Sequence, residues 1–191
     1  MGRTLLGGML GGIAMWLVGF VFWGTPLSRI AISVAPDAAN AAIQATLAQQ
    51  LGPTGSGVYP VPYPGTQIGT GLFAQGPVAM VHFTASGFPV VDSAALLGGL
   101  LLSIVVALLV AFALRGVAGA LSFSQRLTLV GLFALAAGAW IDLGQPIFNH
   151  APWGYFVYLF VSDVAALLAA GAVIAWMLPR AVVAAPPVAS E

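Results

Sequence analysis

The sequence contains neither cysteine nor lysine, and only 5% of its 191 residues are charged. The lack of cysteine excludes disulfide bonds, thiolate nucleophiles and Cys-ligated metal sites. The scarcity of charge excludes an ordinary water-exposed surface, because soluble domains carry about a quarter charged residues. Five basic and five acidic residues give a formal net charge of zero, so the chain also lacks the dense basic surface that nucleic-acid binding requires.

Recognisable catalytic motifs are missing as well. There is no G-x-S-x-G nucleophile elbow, no H-E-x-x-H zinc motif, no P-loop and no dinucleotide fingerprint. His82 and His150 fall outside the long apolar runs, whereas haem or pigment ligation in a membrane needs histidines within the helices. His150 together with Asp142 offers too few ligands for a metal. The sequence therefore predicts that the protein is not an enzyme and that it holds no cofactor and no metal.

Long apolar segments dominate what is present, since 60% of the residues are hydrophobic and the mean hydropathy is +1.03. A helix needs about 20 mainly apolar residues to span a bilayer. Four runs meet this length, at residues 4–23, 93–114, 127–148 and 155–178. A secretory signal is the alternative for the first run, because Arg3 precedes it, but no small-x-small cleavage site stands beside it. The sequence predicts an all-α membrane protein, a four-transmembrane-helix bundle that forms a single membrane domain over residues 1–191.

The arginines indicate the orientation of these spans. If the spans alternate in direction, four arginines fall on one side of the membrane and Arg29 on the other; the four are Arg3, Arg115, Arg126 and Arg180. Loops rich in arginine and lysine stay in the cytoplasm. The sequence therefore predicts that both termini are cytoplasmic (N-in/C-in), with a cytoplasmic tail at residues 179–191, in the inner membrane of a bacterium.

The predicted orientation leaves one large extracytoplasmic loop, residues 24–92. Pro36 and Asp37 suit the start of a short helix that ends near Gly52. A Tyr-Pro segment and the alternating run PVAMVHFTAS follow, which is consistent with a β-hairpin. Five side chains are candidates for an extracytoplasmic interface with another protein: Tyr59, Tyr63, His82, His150 and Trp153. Alternatively, the proline and glycine residues only fold the loop over the helix ends.

Small residues recur at four-residue spacing within the spans. Helices in lipid pack closely where small side chains let their backbones approach. The pairs that form such faces are Gly7 and Gly11, Gly8 and Gly12, Ala134 and Gly138, Ala165 and Ala169, and Ala166 and Ala170. The two glycine pairs of the first span are expected to overlap on one face. These faces predict either packing within the bundle or contact with a further membrane protein.

Two acidic residues lie within the predicted spans, Asp142 in the third and Asp163 in the fourth. A charged group in hydrocarbon is costly, so each is a candidate functional residue. One hypothesis is a carboxylate pair or proton relay. The other is a structural role, in which Asp163 forms a hydrogen bond to a neighbouring helix while Asp142 reaches interfacial water.

Several segments resemble a group of small bacterial four-helix inner-membrane proteins with a glycine-rich first transmembrane helix. These segments are RTLLGGMLGGIAMWLVGFVFWG, GPVAMVHF, PIFNHAPWGYF and VSDVAALLAAG. The resemblance implies the topology and a bacterial origin, and it brings no catalytic residues.

The sequence favours a non-enzymatic accessory or structural subunit. Its partners would be the lipid bilayer and other integral membrane subunits, such as those of a respiratory or photosynthetic complex, or further copies of itself. The alternative is a small proton, cation or solute transporter or channel component that uses Asp163 and Asp142.

Overall fold

The computed structural model describes residues 1–179, so Arg180 and nearly all of the predicted cytoplasmic tail lie outside the described residues. Four helices are long and apolar enough to cross a membrane, as the sequence predicted. The α-helices are α1 (Gly2–Trp23), α2 (Asp37–Leu51), α3 (Gln67–Gln75), α4 (Ser93–Val117), α5 (Phe123–Ile141), α6 (Gly144–Asn149) and α7 (Trp153–Met177), and the strands are β1 (Gly57–Val61) and β2 (Ala79–Phe83).

The third candidate span is interrupted, whereas the sequence predicted one continuous run over residues 127–148. Helix α5 ends at Ile141, and α6 starts at Gly144. Pro146 explains the break, because a proline ring clashes with the backbone carbonyl four residues earlier, which here belongs to Asp142. At its other end α5 begins earlier than predicted, where Ser122 and Gln125 form a capping box.

Residues 34–92 form a compact unit of their own. It contains a two-stranded antiparallel sheet in which Tyr59 of β1 lies opposite Val81 of β2. Helix α3 lies between the two strands in the chain, and the side chain of Thr66 caps it by accepting a hydrogen bond from the backbone N–H of Gly69. The strands are therefore not joined by a tight turn.

The spanning helices form the other compact unit. Helix α1 packs between α4 and α7, and α5 packs on α7. The buried residues of α1 and α4 lie in the halves nearest to Arg3 and Arg115, and α5 buries Arg126, Val130 and Ala134. We call the end of the bundle at Arg3, Arg115 and Arg126 the arginine end. The apolar core there comprises Ala107, Ala111, Leu114, Ala118, Val130, Ala170, Ile174 and Leu178. The helices therefore converge at the arginine end, while the first half of α4 has no buried residue.

Four buried glycines of α1 allow this convergence. Gly7 and Gly11 face α7, where an added β-carbon on Gly11 would lie 3.1 Å from the carbonyl oxygen of Ala170. Gly8 and Gly12 face α4, and an added β-carbon on Gly12 would lie 2.7 Å from the backbone nitrogen of Ile104. The two pairs thus contact different helices, so the expectation that they overlap on one face was wrong. Successive residues of a helix are about 100° apart, which separates the two pairs.

Arg126 joins the helix ends at the arginine end. The sequence interpretation placed it in a loop, but it is the fourth residue of α5 and only 1% of its surface is exposed. Its guanidinium has five N–H donors, and it donates to five backbone carbonyl oxygens. Those acceptors belong to Leu121, Ala118, Ala175, Leu178 and Pro179, four of them at 2.6 to 3.2 Å. One side chain therefore satisfies carbonyl groups at the ends of both α4 and α7.

Gly12→Ala should destabilise the bundle. The new methyl group would overlap the backbone of α4 at Ile104, and overpacking of this kind costs about 1–3 kcal/mol. Gly19→Ala is the matched control on the same helix, because nothing lies within 4 Å of a β-carbon there. The measurement is the thermal unfolding midpoint of the purified chain in detergent, and equal midpoints for the two variants would contradict the packing described.

Arg126→Leu should destabilise the bundle more strongly, by about 3–5 kcal/mol, since removing a buried charged partner leaves its acceptors unsatisfied. Arg29→Gln is the control, because Arg29 is exposed at the opposite end of α1 and surface substitutions change stability by less than about 0.5 kcal/mol. Thermal unfolding followed by helical circular dichroism distinguishes them. A midpoint for Arg126→Leu that matches the parent would refute the role of Arg126.

Candidate partner-binding surface

At the end of α1 opposite the arginine end, polar and aromatic side chains join α1 to α7. The indole Nε1 of Trp23 donates to Ser162 Oγ at 3.1 Å, and the hydroxyl of Tyr158 donates to the carbonyl oxygen of Phe22 at 2.6 Å. The rings of Trp23 and Tyr158 meet edge to face, with centroids 5.1 Å apart. Tryptophan and tyrosine suit this position because they combine an apolar ring with a donor that needs a partner.

Asp163 is the next residue of α7 after Ser162, but its side chain is exposed whereas that of Ser162 is buried. It lies ten residues into a 25-residue helix, which is about 15 Å from the start and close to the middle of the span. Its Oδ1 is 3.4 Å from Ser162 Oγ. The same Ser162 hydroxyl donates to the carbonyl oxygen of Leu159 at 2.8 Å and accepts from Trp23. Ser162 is therefore already engaged within the bundle, and Asp163 retains acceptor capacity on the outer surface.

Asp142 is buried, with 4% of its surface exposed, at the C-terminal end of α5. Gly138 lies against Phe160 of α7 in the antiparallel pair, so Asp142 is level with about residue 156. That register places the two backbone positions about 10 Å apart along the bundle axis, but the carboxyl group of Asp142 lies back beside Gly138, closer to the level of Asp163, and the two carboxyl groups interact electrostatically. No hydrogen bond joins the two carboxyl groups in the described part of the chain.

The alanine and glycine faces are occupied within the bundle. Ala166 and Ala170 are buried, and Ala170 lies beside Gly11 of α1. Ala134 is buried as well, and a β-carbon on Gly138 would come within 2.9 Å of the Phe160 ring. Ala165 and Ala169 are half-buried. These small residues therefore serve close packing among α1, α5 and α7.

The outer faces of α4 and α5 are apolar and exposed. Leucine and valine side chains cover α4, and the exposed residues include Leu97, Leu101, Leu102, Val105 and Leu109. On α5, Phe133 is 69% exposed and Trp140 is 75% exposed. Faces of this kind suit acyl chains, and they suit the helices of another membrane protein equally well.

The five residues predicted for an extracytoplasmic interface do not share one setting. In residues 34–92, Tyr63 and His82 are exposed, while Tyr59 is half-buried, donating to the carbonyl oxygen of Gly55 at 2.5 Å. In the bundle unit, His150 is exposed at the end of α6 with a left-handed backbone (φ 54°). Trp153 is 55% exposed at the start of α7. His150 and Trp153 are thus close in the chain, at the turn between α6 and α7.

Within residues 1–179, no group of three or more histidine, aspartate or glutamate side chains is placed to hold a metal ion. Sequence reasoning missed Trp23, Tyr158 and Ser162 as residues that connect α1 to α7. It also missed the burial of Arg126, for which the signal was its position four residues beyond the Ser122 cap, in the first turn of α5. Comparison with protein-family models, curated protein sequences and solved structures finds no match to this chain.

Proposed function

We propose that this chain is a non-enzymatic subunit of the bacterial inner membrane that packs against another integral membrane protein or against a second copy of itself. The proposal includes cytoplasmic placement of the arginine end, where α1 begins and α7 ends. The arginine distribution supports that orientation, because Arg3, Arg115 and Arg126 all lie at this end and Arg29 lies at the other.

The observation that carries the proposal is the exposed carboxyl group of Asp163. A carboxylate near the middle of a span costs about 2.5–3.5 kcal/mol when it faces lipid. Intramembrane acidic residues accordingly face a bundle interior, a water-filled cavity or a partner. Since Asp163 is on the outside of α7, a hydrogen-bond donor from a second protein would remove this cost.

The geometry favours this function over transport. A proton or cation path through Asp142 and Asp163 needs the two groups to exchange an ion, directly or through water. Asp142 is buried and Asp163 is exposed, and no hydrogen bond joins their carboxyl groups among the described residues, so the two groups do not form a direct relay. The proposal therefore assigns Asp163 to a protein interface and leaves Asp142 as a structural group of α5.

Asp163→Leu tests the interface, because the two settings of Asp163 predict opposite effects. If a partner pairs with the carboxyl group, the leucine variant loses the partner. If lipid surrounds the group, the leucine variant gains stability and its assembly is unchanged. Light scattering after gentle solubilisation should give a particle larger than the 19.4 kDa chain plus detergent, and Asp163→Leu should shift it to the monomer.

Asp163→Glu is the matched control for this experiment, because it keeps the carboxyl group and should keep the assembly. The mass of the particle also identifies the partner, since a multiple of one chain means self-association. The proposal fails if the parent protein is monomeric and Asp163→Leu raises the thermal unfolding midpoint.

Labelling of single introduced cysteines tests the orientation, because the sequence has no cysteine of its own that would react. A cysteine introduced at exposed Gly119, in the turn between α4 and α5, should react with a membrane-impermeant maleimide only after the cells are broken. A cysteine at exposed Ile30, at the other end of α1, should react in cells whose outer layers have been made permeable. The reverse labelling pattern would overturn the cytoplasmic placement of the arginine end.

A further inference from the structure

A pocket opens at the arginine end of the bundle. Its walls are the first turn of α1, the last turn of α4 with the residues that follow it, and the residues at the end of α7. Its volume is about 410 Å³, which is within the range of small-molecule sites. Because these segments are helix ends, the pocket lies where spanning helices meet the lipid headgroups.

Two guanidinium groups give the pocket a positive charge. Arg3 and Arg115 both line it and both are exposed. The described acidic residues of the bundle unit, Asp142 and Asp163, lie near the opposite end and in mid-span, so neither neutralises this charge. Arg115 Nη1 donates to the sulfur of Met1 at 2.8 Å. A thioether is a weak acceptor, so an oxyanion would readily replace it.

Arg126 makes the pocket wall more favourable for an anion, although its own N–H groups already donate to backbone carbonyl oxygens. Ala118, Leu178 and Pro179 line the pocket. Their carbonyl oxygens all accept hydrogen bonds from Arg126. The backbone oxygens that would repel an anion are thereby paired, and the buried guanidinium adds a third positive charge behind the pocket wall.

A second cavity of about 510 Å³ shares Arg3, Leu178 and Pro179 with the first, and Trp176 contributes to its lining. Trp176 is 72% exposed, and tryptophan at a span end commonly sits at headgroup level. The exposed apolar side chains of Leu5 and Leu6 continue from Arg3 along α1. A ligand with a phosphate group and acyl chains fits this arrangement, because the phosphate suits the cationic pocket and the acyl chains suit Trp176 and the apolar surface of α1.

We propose that the pocket between Arg3 and Arg115 binds the phosphate group of an anionic phospholipid. Arginine pairs with phosphate through two parallel N–H···O bonds, and basic pockets between spanning helices recognise anionic headgroups. The two guanidinium groups and the absence of a nearby described acid select a headgroup with net negative charge over a zwitterionic one.

Native mass spectrometry of the full chain in an uncharged detergent tests the proposal. Phosphatidylglycerol and phosphatidylcholine with the same acyl chains are added separately, and the bound fraction of each is measured. The parent protein should retain phosphatidylglycerol in preference to phosphatidylcholine. The double variant R3Q/R115Q should bind phosphatidylglycerol about 30-fold more weakly, since each basic residue near a membrane surface contributes about a factor of five.

R29Q is the matched control, because it removes an exposed arginine from the other end of α1 and should leave lipid binding unchanged. The thermal unfolding midpoint in lipid-free detergent checks that R3Q/R115Q is folded. If the double variant is unfolded, R3Q and R115Q are measured separately and each should show about a fivefold loss. Unchanged preference for phosphatidylglycerol in the folded variants would overturn the proposal.

Competition with inorganic phosphate distinguishes a lipid headgroup from a soluble anion as the ligand of the pocket. If the ligand is a lipid, millimolar phosphate should displace little phosphatidylglycerol, because it lacks the acyl chains that contact Trp176 and α1. Complete displacement by phosphate would show that the pocket is a site for a soluble anion, and the assignment to lipid would then be wrong.

Discussion

Five backbone carbonyl oxygens at one end of this bundle depend on the guanidinium of Arg126. The last carbonyl groups of a helix have no partner within the helix, and burying them unpaired is costly. Helices α4 and α7 both end here and α5 begins here, so a single planar group with five donors can serve all three segments. The rest of the packing at the arginine end follows from bringing these helix ends together.

Helices can pack this closely only where the side chains between them are small, and α1 has glycine at its contact positions. Gly8 and Gly12 let α4 approach on one side, while Gly7 and Gly11 let α7 approach on the other. Towards the opposite end, the α1–α7 pair is held by two hydrogen bonds from Trp23 and Tyr158. The bundle thus has a close-packed core at the arginine end and a set of polar and aromatic contacts between α1 and α7 at the other end. Its outer faces are apolar.

This asymmetry separates the two proposed interactions. Asp163 is exposed in mid-span on α7, where the proposed protein partner would relieve the cost of its carboxyl group. The pocket between Arg3 and Arg115 lies at the arginine end, where the proposed anionic lipid headgroup would supply the complementary charge. Both follow from the same physical constraint, since a charged group at a membrane-spanning helix is stable only with a partner or beside the polar headgroups. They concern different positions and different ligands, so each can be removed by substitution without touching the other.

The sequence by itself determined the four spans, because about 20 consecutive apolar residues exclude water regardless of what they pack against. It also determined that Arg3, Arg115 and Arg126 lie at one end, because alternation of the spans places them there. Only the tertiary structure decided which helix each glycine pair faces, that Arg126 is buried, and that Asp163 is exposed while Asp142 is not. Four-residue spacing in Gly7 to Gly12 identifies a face suited to contact but not its neighbour. The rotation of each helix about its axis is set by all the helices that pack against it, and those helices come from distant parts of the chain.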